Sequence, residues 1–184
     1  MTRSTVLPYL RPATWPHLNQ VPHHPLAQVD GIDVPMVTYV AQGPDGTRQV
    51  ITLEAMAQGG IEIDDLAAEG TLALSRLALD FTPKPLVETG GTLLISLADE
   101  CAAEAVGCPP LMHAAHEALG TERLAAALPA RGVLMLGDGR DENATAVLSQ
   151  WAYEIYTEAG PAGLTPHLLM LRLGIPEGVL YPSH

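Results

Sequence analysis

Two histidines and a glutamate stand at a spacing that suits a metal site. His113, His116 and Glu117 are three and four positions apart, so in a helix they share one face. Imidazole nitrogens and carboxylates are ligands that zinc and iron accept. However, the order H-x-x-H-E is not the H-E-x-x-H of zinc proteases, and the pattern lacks an obvious third ligand. A metal-dependent enzyme using these side chains is therefore the alternative hypothesis.

The favoured interpretation of this helix is an ordinary solvated surface. Leu111, Ala115 and Leu119 form its apolar side, so we expect the three polar side chains to reach solvent or another element. Cys101 and Cys108 lie upstream, but C-x6-C-x4-H-x2-H is not a standard zinc spacing. We expect each cysteine to be a small buried residue.

Other patterns that could carry chemistry are absent or opposed by charge. The loop at residues 137–142 reads G-D-G-R-D-E and precedes a helical pattern, but its three acids oppose a phosphate and fit the helix start instead. The chain has no G-x-S-x-G, no Walker loop and no G-x-G-x-x-G. We therefore predict no catalytic residue and no cofactor.

The charge balance argues against nucleic-acid partners. The chain of 184 residues has a formal net charge of −12, and its nine basic residues form no cluster. Neutralising a nucleic-acid backbone needs clustered lysines and arginines. Residues 54–69 carry five acids and no base. The acidity serves solubility in the simpler interpretation, and a basic protein partner or metal ions in the functional one.

Composition predicts a soluble protein of the cytoplasm. Apolar residues make up 47% of the chain, yet no apolar run approaches the roughly 20 residues of a membrane span. The N-terminus has no apolar stretch typical of a signal peptide. Two cysteines make no disulfide framework, which favours a reducing compartment. We expect neither a membrane nor secretion.

Apolar residues at helical spacing predict the helices. The clearest pattern covers residues 141–159 and has Trp151 in the middle of its apolar stripe, so we expect Trp151 to be nearly buried. A second pattern covers residues 64–77, with Asp64 as its N-cap. A third, at residues 109–119, begins at two prolines and ends before a glycine.

The remaining patterns predict strands and one short helix. Residues 34–41 and 49–53 predict a hairpin across a turn, and residues 92–97 predict a strand. By propensity residues 121–128 favour a helix, but they fit equally well a strand paired with the apolar run at 133–136. The dipeptide Thr165-Pro166 predicts a last short helix that ends at Gly174.

Prolines divide the chain into two parts. Residues 1–28 contain five prolines, so we expect an extended arm without helix and with little strand. Tyr9, Leu10 and Trp15 are too apolar for a free tail, so this arm should dock on its own domain or on a partner subunit. Residues 29–184 then form a single domain.

The chain from about residue 34 to residue 173 resembles the YtpQ-like family of bacterial proteins. The resemblance rests on the order and spacing of four motifs: D-D-L at 64–66, R-L-A-A-A-L-P-A-R at 123–131, V-L-M-L-G-D at 133–138, and L-T-P-H-L at 164–168. It implies an α+β fold and a strand, followed by a hairpin, at residues 123–128. The arm and the His113 segment depart from the family, which supplies no catalytic residues.

These patterns together predict an α+β domain with one antiparallel sheet of about four to six strands and helices mainly on one face. The leading hypothesis for function is a non-catalytic binding or adaptor protein that acts on a protein partner or as a homodimer. The alternative is the metal-dependent enzyme built on His113, His116 and Glu117.

Overall fold

A computed structural model of the protein describes residues 5–29, 33–76, 80–86, 91–97 and 101–180. The described residues contain four α-helices and ten β-strands, which confirms the α+β class. The helices are α1 (Leu53–Gly59), α2 (Ile63–Leu74), α3 (Pro109–Leu119) and α4 (Glu142–Ala159). The strands are β1 (Thr5–Arg11), β2 (His24–Pro25), β3 (Met36–Gln42), β4 (Arg48–Val50), β5 (Thr82–Pro85), β6 (Thr92–Ser96), β7 (Arg123–Ala127), β8 (Leu134–Asp138), β9 (Leu168–Arg172) and β10 (Ile175–Leu180).

The strands form two antiparallel sheets rather than one. In the four-stranded sheet β3 pairs with β1 on one side and with β2 and β4 on the other. The six-stranded sheet has the order β10-β9-β7-β8-β6-β5. The hairpin of β3 and β4 confirms the expected turn, where the Thr47 N–H and hydroxyl both donate to Asp45 Oδ1.

The N-terminal arm is a strand, so the expectation that residues 1–28 lack regular structure is wrong. β1 pairs along its whole length with β3, and it docks on the same chain. The Leu10 N–H donates to Glu104 and so points away from β3. Because N–H groups alternate along a strand, position 8 faces the same outer edge, and Pro8 loses no bond of the ladder. Residues 1–4 lie outside the described part.

The same rule places the prolines within the other strands. Pro25, Pro83, Pro85 and Pro176 lie in β2, β5 and β10, which are all terminal strands of their sheets. A proline in an edge strand, with its nitrogen on the outer side, removes no hydrogen bond from the ladder. It also blocks the addition of a further strand at that edge. Among the boundary strands of the described chain, β4 alone contains no proline.

The centre of the six-stranded sheet is buried on both faces. β7 pairs with β8 and β9, so residues 123–127 are a strand, as the YtpQ-like resemblance implies and helix propensity does not. Leu124 and Ala126 pack into one core, whereas Ala125 and Ala127 pack into the other. β9 has the same arrangement, so the expected helix at residues 165–174 is wrong.

Helices lie on both faces of this sheet, and α4 alone among the described helices packs on the face opposite the larger core, which agrees with helices mainly on one face. The larger core contains residues of α2, α3 and the four-stranded sheet, and the smaller one lies under α4. α4 begins at Asp141, whose carboxylate accepts the N–H groups of Asn143 and Ala144. Trp151 is only half-buried because it sits at the rim of this smaller core, where the Lys84 ammonium lies 4.3 Å from its ring centre. The expectation of a nearly buried Trp151 is therefore wrong.

Helix ends follow local capping chemistry. α1, which the sequence did not predict, is a single short helix capped by Thr52, whose hydroxyl accepts the Ala55 N–H. The N-cap of α2 is Glu62 rather than Asp64, and Asp65 accepts the N–H of Glu62. Residue 77, the last position of the expected pattern, lies outside the described residues. α3 has the expected bounds and ends at Gly120 in a left-handed conformation. In the described ranges, none of the helices combines the length and the apolar character that crossing a membrane requires.

Candidate functional site

The main candidate site is an apolar cavity of about 310 Å³ between the two sheets. Its wall combines β1, β3 and α2 with the segment before α3 and with the turn that joins β9 to β10. The chain segments that meet here are far apart in the sequence. The lining residues are Pro8, Leu10, His24, Leu26, Val37, Tyr39, Ala67, Thr71, Leu74, Glu104, Val106, Gly107, Pro109, Gly174, Ile175 and Pro176.

Two polar side chains of the four-stranded sheet meet at this wall. His24 Nε2 lies 2.9 Å from the hydroxyl of Tyr39, and His24 Nδ1 lies 3.1 Å from the carbonyl oxygen of Pro25. Burial raises the pKa of Tyr39, and the nearby carboxylate of Asp64 raises it further. The Tyr39 hydroxyl therefore stays protonated at neutral pH and acts as a hydrogen-bonding group.

A buried carboxyl group lies behind the cavity. The side chain of Glu104 is fully buried, and its Oε1 accepts the N–H of Leu10 at 3.0 Å and the Nε–H of Arg131 at 3.2 Å. Within the described residues Oε2 has no hydrogen-bond partner. Burial raises the pKa of Glu104, and the bonds from Leu10 and Arg131 oppose this only in part. This carboxyl joins the first strand to the segment before α3.

Aromatic rings hold two arginines beside this carboxyl. The guanidinium carbon of Arg131 lies 3.3 Å from the ring centre of Tyr9, and its Nη1 donates to the Tyr9 hydroxyl. Arg11 lies 4.2 Å from the Tyr9 ring centre and 4.3 Å from that of Trp15. Burial lowers the pKa of Arg11. Of the expected anchors Tyr9, Leu10, Trp15 and Leu18, Tyr9 joins the arm to the rest of the chain through Arg131, and Leu10 does so through Glu104.

The structure separates the three residues of the proposed metal face. His113 and Glu117 are exposed, and Nε2 of His113 lies 3.7 Å from Oε1 of Glu117. His116 is 5% exposed, so it does not reach solvent and instead contacts other elements, which is the second of the two expected outcomes. The described ranges contain no group of three or more histidine, cysteine, aspartate or glutamate side chains that could hold a metal ion.

Both ring nitrogens of His116 take part in structural hydrogen bonds. Its Nε2 accepts the backbone N–H of Gly174 at 2.9 Å, so the ring proton belongs on Nδ1. Nδ1 then donates to the carbonyl oxygen of Thr121 at 2.8 Å. This neutral tautomer leaves neither nitrogen for a metal ion, and it ties α3 to the turn that closes the cavity.

The acidic loop before α4 is also structural. Asp138 accepts bonds from the side chains of Thr121 and Arg140. Burial raises the pKa of Asp138, but the hydrogen bonds from Arg140 and Thr121 together bring it below its ordinary value. Asp141 caps the helix, as the sequence predicts for this loop.

Sequence reasoning missed the polar residues of the cavity. His23 and His24 are adjacent in the sequence, a spacing that suits a shared metal ion poorly, and neither Tyr39 nor Glu104 belongs to a motif that predicts a site. Aromatic residues are common in strands, so the sequence around Tyr39 does not indicate a site. Glu104 did carry a signal, because it is the one charged residue in the apolar run A-A-E-A-V at 102–106. A charge within such a run is either paired or functional.

Comparisons with known proteins do not extend this description. The chain matches no family model, no curated protein and no solved structure. The resemblance to the YtpQ-like family therefore stays a prediction, and the function has to be inferred from the site.

Proposed function

We propose that this chain is a non-catalytic binding protein that holds a small, neutral, largely apolar molecule between its two sheets. The cavity of about 310 Å³ with a mainly aliphatic wall carries this proposal. Ligand sites of proteins are typically concave and apolar, with a few polar groups that orient the ligand. The lining residues include no lysine or arginine for an anionic ligand, and the Glu104 carboxyl group already bonds to Arg131, which favours a neutral ligand.

The size of the cavity bounds the ligand. Since a water molecule occupies about 30 Å³ of liquid, this volume holds roughly ten non-hydrogen atoms. One polar atom of the ligand can reach the Tyr39 hydroxyl, which is the polar group of the wall that lies next to His24. We therefore expect a bicyclic aromatic or a short aliphatic molecule with at most one hydroxyl or carbonyl group.

The hydrogen bonding of the wall supports binding rather than catalysis. Tyr39 and His24 bond to each other, and Glu104 bonds to Leu10 and Arg131. A general acid or base needs a proton that it can exchange with the substrate at hydrogen-bond distance. Here the same groups connect strands and loops of the fold. The alternative, a metal-dependent enzyme on His113, His116 and Glu117, is not proposed, because both ring nitrogens of His116 make structural hydrogen bonds.

The wider cellular setting belongs to the same proposal. The chain has only two cysteines, at positions 101 and 108, and Cys108 is a buried free thiol, which favours a reducing compartment such as the cytoplasm. Prolines in four of the terminal strands disfavour a homodimer formed by joining sheet edges. The net charge of −12 disfavours nucleic acid.

Thr71 offers a sharp test of the cavity. It is exposed on α2, lines the cavity, and its hydroxyl donates to the carbonyl oxygen of Ala67 four residues earlier. Thr157 on α4 is exposed and makes the same kind of bond to Tyr153, so it is a matched control. Thr71→Phe places a ring at the cavity, whereas Thr157→Phe places one far from it.

The assay is titration with indole and with 1-octanol, followed by calorimetry and by the melting temperature. We expect both to bind the wild type and Thr157→Phe, and Thr71→Phe to lose at least tenfold in affinity. A wild type that binds neither molecule, or equal affinity in both variants, would contradict the proposal.

A further inference from the structure

A second recess, which we call the acidic groove, lies on the other side of α2 from the cavity. It has a volume of about 720 Å³ and runs between α1, α2 and the four-stranded sheet. Its lining residues are Val6, Ala41, Gln49, Val50, Ile51, Ala55, Gly60, Ile61, Asp65, Leu66, Ala68 and Glu69. It shares no lining residue with the cavity.

The floor of the acidic groove is apolar but not buried. Val6, Val50 and Ile51 are only half-buried, and Ile61 is 40% exposed. Aliphatic side chains that line one recess gain further burial when a partner covers them. A surface of this kind marks an interaction site when polar residues surround it.

Negative charge surrounds this apolar floor. Asp65 and Glu69 stand one helical turn apart on α2 and line the groove. Glu54, Glu62 and Asp64 are exposed on the same two helices, and residues 54–69 include no basic residue. Arg48 in β4 precedes the lining residue Gln49, and the five acids of residues 54–69 outnumber this one base. The groove therefore favours a positively charged occupant and disfavours an anionic one.

The sheet edge next to the groove is the one that lacks a proline. β4 contributes Gln49 and Val50 to the lining and pairs only with β3. The other boundary strands of the described chain each contain a proline, which blocks the pairing of a further strand. This unblocked edge beside an apolar floor suits the backbone of an extended peptide.

We propose that the acidic groove binds a short segment of a partner protein that alternates basic and aliphatic residues. Aliphatic side chains would cover Val50, Ile51 and Ile61, and lysines or arginines would face Asp65 and Glu69. By the volume of about 30 Å³ per water molecule, the groove accommodates roughly two dozen non-hydrogen atoms, about three residues of such a segment. This function as an adaptor goes beyond the cavity and does not depend on a ligand there.

The test uses a fluorescein-labelled peptide of alternating lysine and leucine, and its binding to the full chain is followed by fluorescence anisotropy. A lysine–serine peptide of the same charge tests whether the apolar floor matters, and a glutamate–leucine peptide tests the charge. Glu69→Lys reverses a charge in the groove. Glu158→Lys makes the same change of net charge on the exposed face of α4, away from the groove.

We expect the lysine–leucine peptide to bind the wild type and Glu158→Lys with affinities within twofold. Glu69→Lys should weaken it at least tenfold, and Ile61→Ser should weaken it without changing the net charge. Thr71→Phe, which alters the cavity, should leave the affinity for the lysine–leucine peptide unchanged. Failure of the peptide proposal can therefore be distinguished from failure of the ligand proposal. Equal weakening by Glu69→Lys and Glu158→Lys, equal affinity for the lysine–serine peptide, or no binding to the wild type would overturn the proposal.

Discussion

Replacing His116 by alanine tests whether this histidine is a structural element rather than part of a polar surface. In the structure its ring connects α3 to two distant backbone groups. Nδ1 donates to the Thr121 carbonyl, and Nε2 accepts the Gly174 N–H. His116→Ala removes both bonds and leaves the two backbone groups buried without a side-chain partner. His113→Ala, three residues earlier, removes only an exposed pair with Glu117.

The expected magnitudes for the two variants differ severalfold. An unsatisfied buried donor or acceptor costs about 1–3 kcal/mol, so two of them cost about 2–6 kcal/mol. Lost packing of the ring adds to this, and water that enters the space removes a part. We therefore expect His116→Ala to lower the free energy of unfolding by about 3–5 kcal/mol. His113→Ala should change it by less than about 0.5 kcal/mol, as exposed ion pairs contribute little.

Urea unfolding at pH 7.5, followed by circular dichroism, measures both variants against the wild type. Nitrogen NMR shifts of the His116 ring in the folded protein should show the neutral form with its proton on Nδ1. A His116→Ala variant as stable as His113→Ala would refute the assignment of both hydrogen bonds. A ring protonated on Nε2 would refute the direction of the bond from Gly174.

Three further predictions concern stability. Burial raises the pKa of Glu104, so the folded protein binds this proton more tightly than the unfolded chain does. The contribution of Glu104 to stability therefore falls as the pH rises through and above 4.5. In urea titrations Glu104→Gln should gain stability relative to the wild type between about pH 4 and pH 8, and a difference that is independent of pH would contradict this expectation. Leu173 is exposed with φ of 49°, next to Gly174 with φ of 81°. Because asparagine tolerates positive φ better than leucine does, Leu173→Asn should stabilise the hairpin of β9 and β10 by about 0.5–1 kcal/mol. An unchanged urea midpoint would disprove this. Leu148 is 0% exposed under α4, and Leu148→Ala should cost about 2–5 kcal/mol, so a loss under 1 kcal/mol would argue against the packing of this helix.

The hairpin of β3 and β4 is predicted from its turn residues, whereas the helices that the sequence predicts correctly have one buried face. α3 and α4 show apolar residues at helical spacing. In such elements the period of the pattern reports the geometry of the backbone directly. The period does not report how deeply each residue is buried, because Trp151 belongs to the apolar stripe of α4 and is still only half-buried.

Elements buried on two faces have no such period. The runs R-L-A-A-A in β7 and L-L-M-L-R in β9 face both cores, so every residue except the terminal arginines is apolar and the pattern does not alternate. Alanine and leucine also favour helices in isolation, and tertiary packing overrides this preference. The prediction that the proline-rich arm lacks regular structure failed for a related reason. Whether a proline is compatible with a strand depends on which edge it occupies, and the sequence does not state the order of strands.

The candidate site depends on contacts that no local pattern encodes. Its polar residues His24, Tyr39 and Glu104 come from three separate segments, and the order of the strands alone brings them together. The spacing of His113, His116 and Glu117 is a local pattern, yet the fold buries one of these residues and exposes two. Spacing identifies residues that share a helix face, but burial of that face decides whether they can act as a group.

The surfaces that the chain leaves open indicate where partners can bind. Prolines block β1, β2, β5 and β10 at the sheet boundaries, and α4 covers the outer face of the six-stranded sheet. The cavity and the acidic groove are two recesses of the described chain, and both take a wall from α2. Thr71 and Glu69 are two positions apart on this helix, so they face different directions and belong to different recesses. Single substitutions on one exposed helix can therefore separate a ligand function from an adaptor function without altering the core.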